Sequence, residues 1–233
     1  MKRARELFAL ERRSVGSPYV HEMWWTRSEP VEAFVSVATS HWVMVVTRQR
    51  NATTVTVRGP ETRATSVPIP EDAEFIGIQF GLGTYMPFLQ PRQLVDRSLT
   101  LPQPTGTSFW LDGSVWRVPQ PDDVDSFVGR LVRAGVLVHD PIVSAAVAGD
   151  VPGLSTRSVE RRVSRATGLT RGAVRRIRQA EAAVELLTRG WSASDVAHRA
   201  GYADQPHLTR SLKRFFGQTP ARIARSANGE RSS

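Results

Sequence analysis

Between Gln205 and Phe216 the chain carries His207, Arg210, Lys213 and Arg214 and no acid. The stretch GYADQPHLTRSLKRFFGQTP (201–220) sets Leu208, Leu212 and Phe215 at i, i+4, i+7. His207, Arg210 and Arg214 fall at i, i+3, i+7. Both spacings belong to one helix, apolar behind and cationic in front. A solvated face more often mixes acids with bases; an acid-free one suits a polyanion. Catalysis is not expected, because no carboxylate or second histidine is placed to orient His207.

The same pattern occurs earlier. Shifted by 49 residues, VAGDVPGLSTRSVERRVSRATGLT lies without a gap over VAHRAGYADQPHLTRSLKRFFGQT. Ser155 meets Asp204 as N-cap, and Gly168 meets Gly217 as the stop. Val159, Val163 and Ala166 meet Leu208, Leu212 and Phe215 on the apolar side. Arg161 meets Arg210, and Arg165 meets Arg214. Coincidence of caps, core, stop and arginines argues for duplication. Each unit reads as short helix, tight turn, second helix, which is the layout of a helix-turn-helix. In that layout the N-terminal part of the second helix reaches base edges. Between the units, RGAVRRIRQAEAAVELLTRG reads as a long helix. Residues 171–189 would span about 28 Å at ~1.5 Å per residue, against ~34 Å between successive major-groove faces. One chain could therefore contact two grooves, with some bending of the DNA. In this long helix RRIRQ either touches phosphates or is an exposed face, with Ile177 turned inward and Glu181 and Glu185 further along offering salt bridges.

The elements around these units divide the 233 residues in two. Residues 1–139 hold 15 Lys/Arg against 14 Asp/Glu; residues 140–233 hold 16 against 8. The net charge of +9 thus sits almost wholly in the last part, the electrostatic footprint of a polyanion binder. Residues 20–118 read as β structure, with VEAFVSVA, HWVMVVT, TTVTVRG and EFIGIQF as strands and NATT and RGPET as turns. Prolines are dense from Pro87 to Pro121, which suggests loops. VPQPDD is the linker, and DDVDSFVGRLVRAGVLV a helix over 122–138. Asp140 caps a further helix with Pro141 at its first position. The expected fold class is α+β: a β-rich domain over 1–118, a connecting segment over 119–139, and an all-α domain over 140–228.

Several function classes are excluded. Without cysteine there are no disulfides, thiol nucleophiles or zinc thiolates. No apolar run approaches the ~18 residues of a membrane span, and the basic start MKRARELFALERRSV is too interrupted for a signal peptide. A cytoplasmic, nucleoid-associated location is expected, with no membrane partner. There is no GxSxG, GxxxxGK[ST] or HExxH, and GLGTYM lacks a third glycine. The chain is not expected to be an enzyme.

LSTRSVERRVSRATGLT, AEAAVELLTRG and above all VAHRAGYADQPHLTRSLKRFFGQTP resemble the DNA-binding domain of the AraC/XylS family of bacterial transcription regulators, over about residues 140–226. The resemblance implies a seven-helix domain with two helix-turn-helix units joined by a long helix. Carried over, the first reading helix presents Arg157, Glu160 and Arg161 to bases, and the second Gln205, His207 and Arg210. Thr156, Thr209, Lys213 and Arg214 become phosphate contacts. Arginine can grip guanine, glutamine can read adenine, and glutamate can accept from cytosine. Val163 stands where many members carry an aromatic, leaving the first unit lightly packed.

TVRGPETRAT and EFIGIQF are similar, more distantly, to the cupin-like sensor part found ahead of such domains. That implies a small β-barrel that binds an effector or dimerises, with Trp24, Phe34, Trp42 and Phe80 as candidate pocket residues. Of the paired Trp24 and Trp25, one is expected to be exposed, since strand neighbours point oppositely. No metal or cofactor is expected: His21 and His41 stand alone, with no His-x-His pair. The partners implied are double-stranded DNA, a second copy of the chain, a small-molecule effector, and RNA polymerase, recruited or excluded according to where the site lies. The rival reading is a non-specific architectural DNA-binding protein, indifferent to Arg161 and Arg210 beyond their charge.

Overall fold

The computed structural model describes residues 11–13, 17–28, 34–50, 52–103, 105–149, 151 and 153–231. Val31–Ala33 of the first expected strand, Asn51 of the NATT turn, Asp150 and Pro152 of the first unit's turn, and the first ten residues lie outside these.

The N-terminal part is β-rich. Strands β1 (Glu11–Arg13), β2 (Val20–Arg27), β3 (Phe34–Ser36), β4 (Val43–Gln49), β5 (Ala52–Arg58), β6 (Thr65–Val67), β7 (Ala73–Phe80), β8 (Thr84–Tyr85) and β9 (Ser98–Thr100) follow in order. Six of them form one antiparallel sheet, β1-β2-β7-β4-β5-β9. Its register puts Met23, Ile78, Met44 and Val57 in one cross-strand row, and Trp25, Ile76, Val46 and Val55 in the next. All but Trp25 are buried, so this face is the core side. β3 pairs β6 in a separate ribbon, and β10 (Ser108–Leu111) pairs β11 (Ser114–Arg117) in another. Among the described residues the pairing does not close into a barrel: β1 and β9 are free edges. The proline-rich stretch expected to be loops holds one turn of helix, α1 (Pro91–Leu94), and the β10–β11 hairpin.

Trp24 and Trp25 do point to opposite faces, but neither is exposed. Trp24 lies on Gly77 of β7, where an added Cβ would sit 2.0 Å from the indole. The missing side chain makes its bed.

Helix α2 (Val124–Arg133) is shorter than expected. Gly135 turns the chain at φ +72°, and Val138–His139 become β12, paired with β8. The segment leading to the second part is thus a strand of the first. Helices α3 (Pro141–Ala148), α4 (Thr156–Thr167), α5 (Arg171–Thr188), α6 (Ala193–Arg199), α7 (Gln205–Phe216) and α8 (Pro220–Arg231) complete the chain. The caps fall where expected: the Asp140, Ser155 and Asp204 side chains accept the amides of Ile142, Ser158 and His207. Gly168 and Gly217 end α4 and α7 in the left-handed region. Along α5 Ile177 is buried, Arg175, Arg176 and Arg178 are exposed, and Glu185 pairs with Arg189 at 2.5 Å.

His21 and His41, far apart in sequence, stack at 4.8 Å between ring centroids. Strand β2 and the turn before β4 bring them together, which spacing alone could not reveal. The His41 Nδ1 lies 2.7 Å from the Phe80 carbonyl, so the neutral ring donates there. Burial pushes His41 down from 6.5 to about 4; the bond to Phe80 opposes the shift, while His21 and Arg178 add to it. The unfolded chain takes this proton near 6.5, the folded chain only near 4. Stability is therefore level above about pH 7 and falls below it, by about 2 kcal/mol at pH 5 from this group. Urea midpoints measured from about pH 7 to 5 should fall steeply for the native chain and less for His41→Gln. Parallel profiles would refute the assignment.

Candidate nucleic-acid interface

Helices α4 and α7, the two expected to read DNA, are both twelve residues long and equivalent in the duplication. Each buries its apolar row: Val159, Val163 and Ala166 in α4; Leu208, Leu212 and Phe215 in α7. Both are held at their C-terminal ends by the β-rich part. The Trp42 indole N–H donates to the Ala166 carbonyl at 2.9 Å. The Ala38 amide donates to the Phe215 carbonyl at 2.8 Å, and the Ala64 amide to that of Arg214 at 2.8 Å. Ala166 and Phe215 are repeat mates, so one short segment, 38–42, grips the same point of both helices. It satisfies carbonyls that a helix end leaves without intrahelical donors. Arg92 adds bonds to the Ser164 hydroxyl of α4 at 3.0 and 3.1 Å.

With the C-terminal ends docked, the N-terminal turns face out. Thr156, Arg157 and Arg161 are exposed on α4, and Gln205, His207, Arg210, Lys213 and Arg214 on α7. The His207 ring stands edge-on to Tyr202 at 5.1 Å, and the Tyr202 hydroxyl meets that of Ser211 at 3.0 Å. Arg214 lies over the Phe215 ring at 5.3 Å.

Two of the candidate residues also make hydrogen bonds within the chain. The Glu160 carboxylate accepts the Arg171 amide at 3.2 Å, at the start of α5. An acid there complements the helix dipole and fixes the long helix to the first reading helix. The Thr209 hydroxyl donates to the Gln205 carbonyl at 2.9 Å.

The two units differ behind the reading face. In the first, the buried Asp140 pairs with Arg162 at 2.8 Å and stands 3.7 Å from Arg165. Arg165 also lies over the Tyr85 ring at 5.9 Å. Arg162 thus reaches the buried Asp140 behind α4, while Arg165, like its repeat mate Arg214, stays at the surface. Val163, for all its small size, is fully buried.

The four candidate effector residues lie in different settings. Phe80 is core, Trp42 is spent on α4, Trp24 lies across Gly77, and Phe34 sits in the β3–β6 ribbon. One cavity of about 410 Å³ is lined by Arg27, Arg48, Arg50, Asp72 and Glu74, and another of about 260 Å³ lies in the second unit. None of the four lines either. Trp42's role was missed because its partner is far along the chain. Trp191 was missed as well, although it is the sole tryptophan of the basic part.

Residues 150–226 match the family model of a helix-turn-helix domain. The fold around them holds two such units joined by a long helix. The C-terminal domain is of the AraC helix-turn-helix type. The HTH-type transcriptional regulator RipA of Corynebacterium glutamicum is 32% identical over 107 residues, 45% of this chain and 32% of that one. The chain therefore spans about a third of that relative's length. Two crystal structures of ToxT from Vibrio cholerae superpose with TM-scores of 0.44 and 0.42 at 6% and 9% identity. They cover 93% and 96% of this chain and 98% and 99% of those chains. Among the described residues, no helix is long and apolar enough to cross a membrane.

Proposed function

We propose that the chain is a sequence-specific transcription regulator that reads two adjacent major grooves of duplex DNA with α4 and α7. The observation that carries this reading is the pair of equivalent helices on a basic domain, their polar N-terminal turns outward and their C-terminal ends fixed to one segment of the β-rich part. Arg157 and Arg161 read one block; Gln205, His207 and Arg210 read the other. Thr156, Lys213 and Arg214 position the backbone. Glu160 serves the reading indirectly, by holding α5. Residues 1–118 set the spacing of the two helices, 119–139 connect, and 140–228 bind DNA.

The test is selection of DNA sites by the full chain at one near-physiological salt concentration, beside Arg161→Ala and Arg210→Ala. Salt is held because phosphate contacts alone can mimic affinity. Each substitution should cost about 1–3 kcal/mol and blur one block of a two-block motif. If all sequences bind alike and both variants weaken binding uniformly, the helices are basic surfaces only and an architectural role replaces this one.

A further inference from the structure

The reading helices do not account for Trp191. It is 38% exposed, as an indole with one apolar face and one polar edge is at a contact surface; Trp110 of the β10–β11 hairpin is 44% exposed but has no cation among the described residues stacked on it. Trp191 is not on a loose tip. Gly190 ends the α5 stretch at φ +94°, the Trp191 amide donates to the Leu186 carbonyl at 3.2 Å, and Ser192 caps α6. The backbone on both sides is therefore fixed. Arg199, at the other end of α6, lays its guanidinium over the indole at 4.0 Å. Arg199 has no ion pair and the Trp191 indole N–H has no acceptor among the described residues.

Trp191 forms one wall of the groove of about 260 Å³. Opposite are Gln205 and Thr209 on α7, and the third side is the start of α8 at Thr219–Ala221. No acid lines it. Asp195, the acid of the first α6 turn, has its carboxylate engaged by the Ser192 hydroxyl at 2.6 Å. The groove thus reaches Gln205 and Thr209 of α7, is largely apolar, and adjoins at Trp191 both the indole N–H and the Arg199 guanidinium stacked on the ring. A sugar–phosphate strand has the matching chemistry: an apolar sugar flank for the indole, and an anion for the indole N–H and the guanidinium.

We infer that Trp191 and Arg199 form a stacked platform that seats one DNA strand beside the second reading helix. The inference rests on the proposed DNA reading and adds a contact to it. The platform touches backbone, not base edges, so it supplies affinity without sequence preference. The first unit has no equivalent: Ile142 stands at the repeat position of Trp191, beside a buried Asp140 already paired with Arg162. The second unit therefore holds the DNA backbone more firmly than the first, in addition to the bases it reads.

The test uses the full chain and duplexes recovered by site selection, with Trp191→Ala, Trp191→Phe and Arg199→Gln. Trp191→Ala should weaken binding about tenfold on the selected site and on a scrambled duplex alike. Trp191→Phe, which keeps the ring under Arg199, should lose only about twofold. Arg199→Gln should lower the slope of log affinity against log salt by about one. Because both side chains are at the surface, melting temperatures should stay within about 2 °C of the native chain. If the native chain selects a motif and Trp191→Ala binds it with unchanged affinity, the platform is overturned while the DNA reading stands. A Trp191→Ala variant that changes the preferred sequence also overturns it, since that is base reading. If the native chain binds no duplex, the DNA reading itself has failed.

Discussion

Gly168→Ala will lower the melting temperature by about 10 °C, and Gly217→Ala, at the equivalent position of the second unit, by only about 3 °C. Both glycines are left-handed, with φ of +72° and +68°. Alanine in that region costs about 1 kcal/mol in each. The difference lies in what a Cβ would meet. At Gly168 it would lie 2.7 Å from the Pro91 carbonyl carbon and oxygen and 2.8 Å from a Val95 methyl. Backbone of α1 cannot swing aside, so α4 must part from it, for a total of about 3 kcal/mol or more. At Gly217 the nearest atoms are methyl carbons of Ala64 and Val35 at 3.4 Å, an ordinary contact. Thermal unfolding of both variants by circular dichroism measures the gap. Equal shifts would mean that α1 and the end of α4 are not packed as described.

Trp42 carries the second large effect. It is 2% exposed, and Trp42→Ala should destabilise the chain by about 4 kcal/mol, as large-to-small changes of a buried aromatic do. Trp42→Phe isolates the hydrogen bond. It keeps most of the packing but leaves the Ala166 carbonyl without its donor, at about 1–3 kcal/mol. The two reading helices should respond differently. Amide exchange in the last turn of α4 should quicken in Trp42→Phe, while that of α7, held by the Ala38 and Ala64 amides, should not. Matched acceleration in both helices would show that the segment does not hold them separately.

What could be read from the residues was what is written locally. Ser155, Asp204, Gly168 and Gly217 mark the ends of α4 and α7 with side chains or conformations that act within three or four positions. The apolar rows of both helices follow from the helical period, and the duplication doubled each signal. The expected strands ending in HWVMVVT and EFIGIQF came through for the same reason. The helix expected over 122–138 ran too long because Val136 and Val138 continue its apolar spacing, and only pairing with β8 turns Val138 into a strand residue. The bond of Glu160 to the Arg171 amide was not legible, because a backbone group has no sequence signature. The bond of Trp42 to α4 was hidden likewise: a buried indole looks the same in sequence whether it lines a cavity or bonds a helix end.

The grip of residues 38–64 on the ends of α4 and α7 has a consequence for how the chain assembles. Its bonds join groups more than 100 residues apart. Such contacts raise the contact order and slow the final step of folding, because each closes a long loop. Synthesis runs the other way round from the contacts. The sheet emerges first and presents the Ala38 and Ala64 amides and the Trp42 indole to helices not yet made. The AraC-type domain then docks onto a finished template, α4 first and α7 last. A refolding experiment started from the whole unfolded chain should accordingly show helical signal returning before the tryptophan signal of Trp42, with the lag set by loop closure rather than by helix formation.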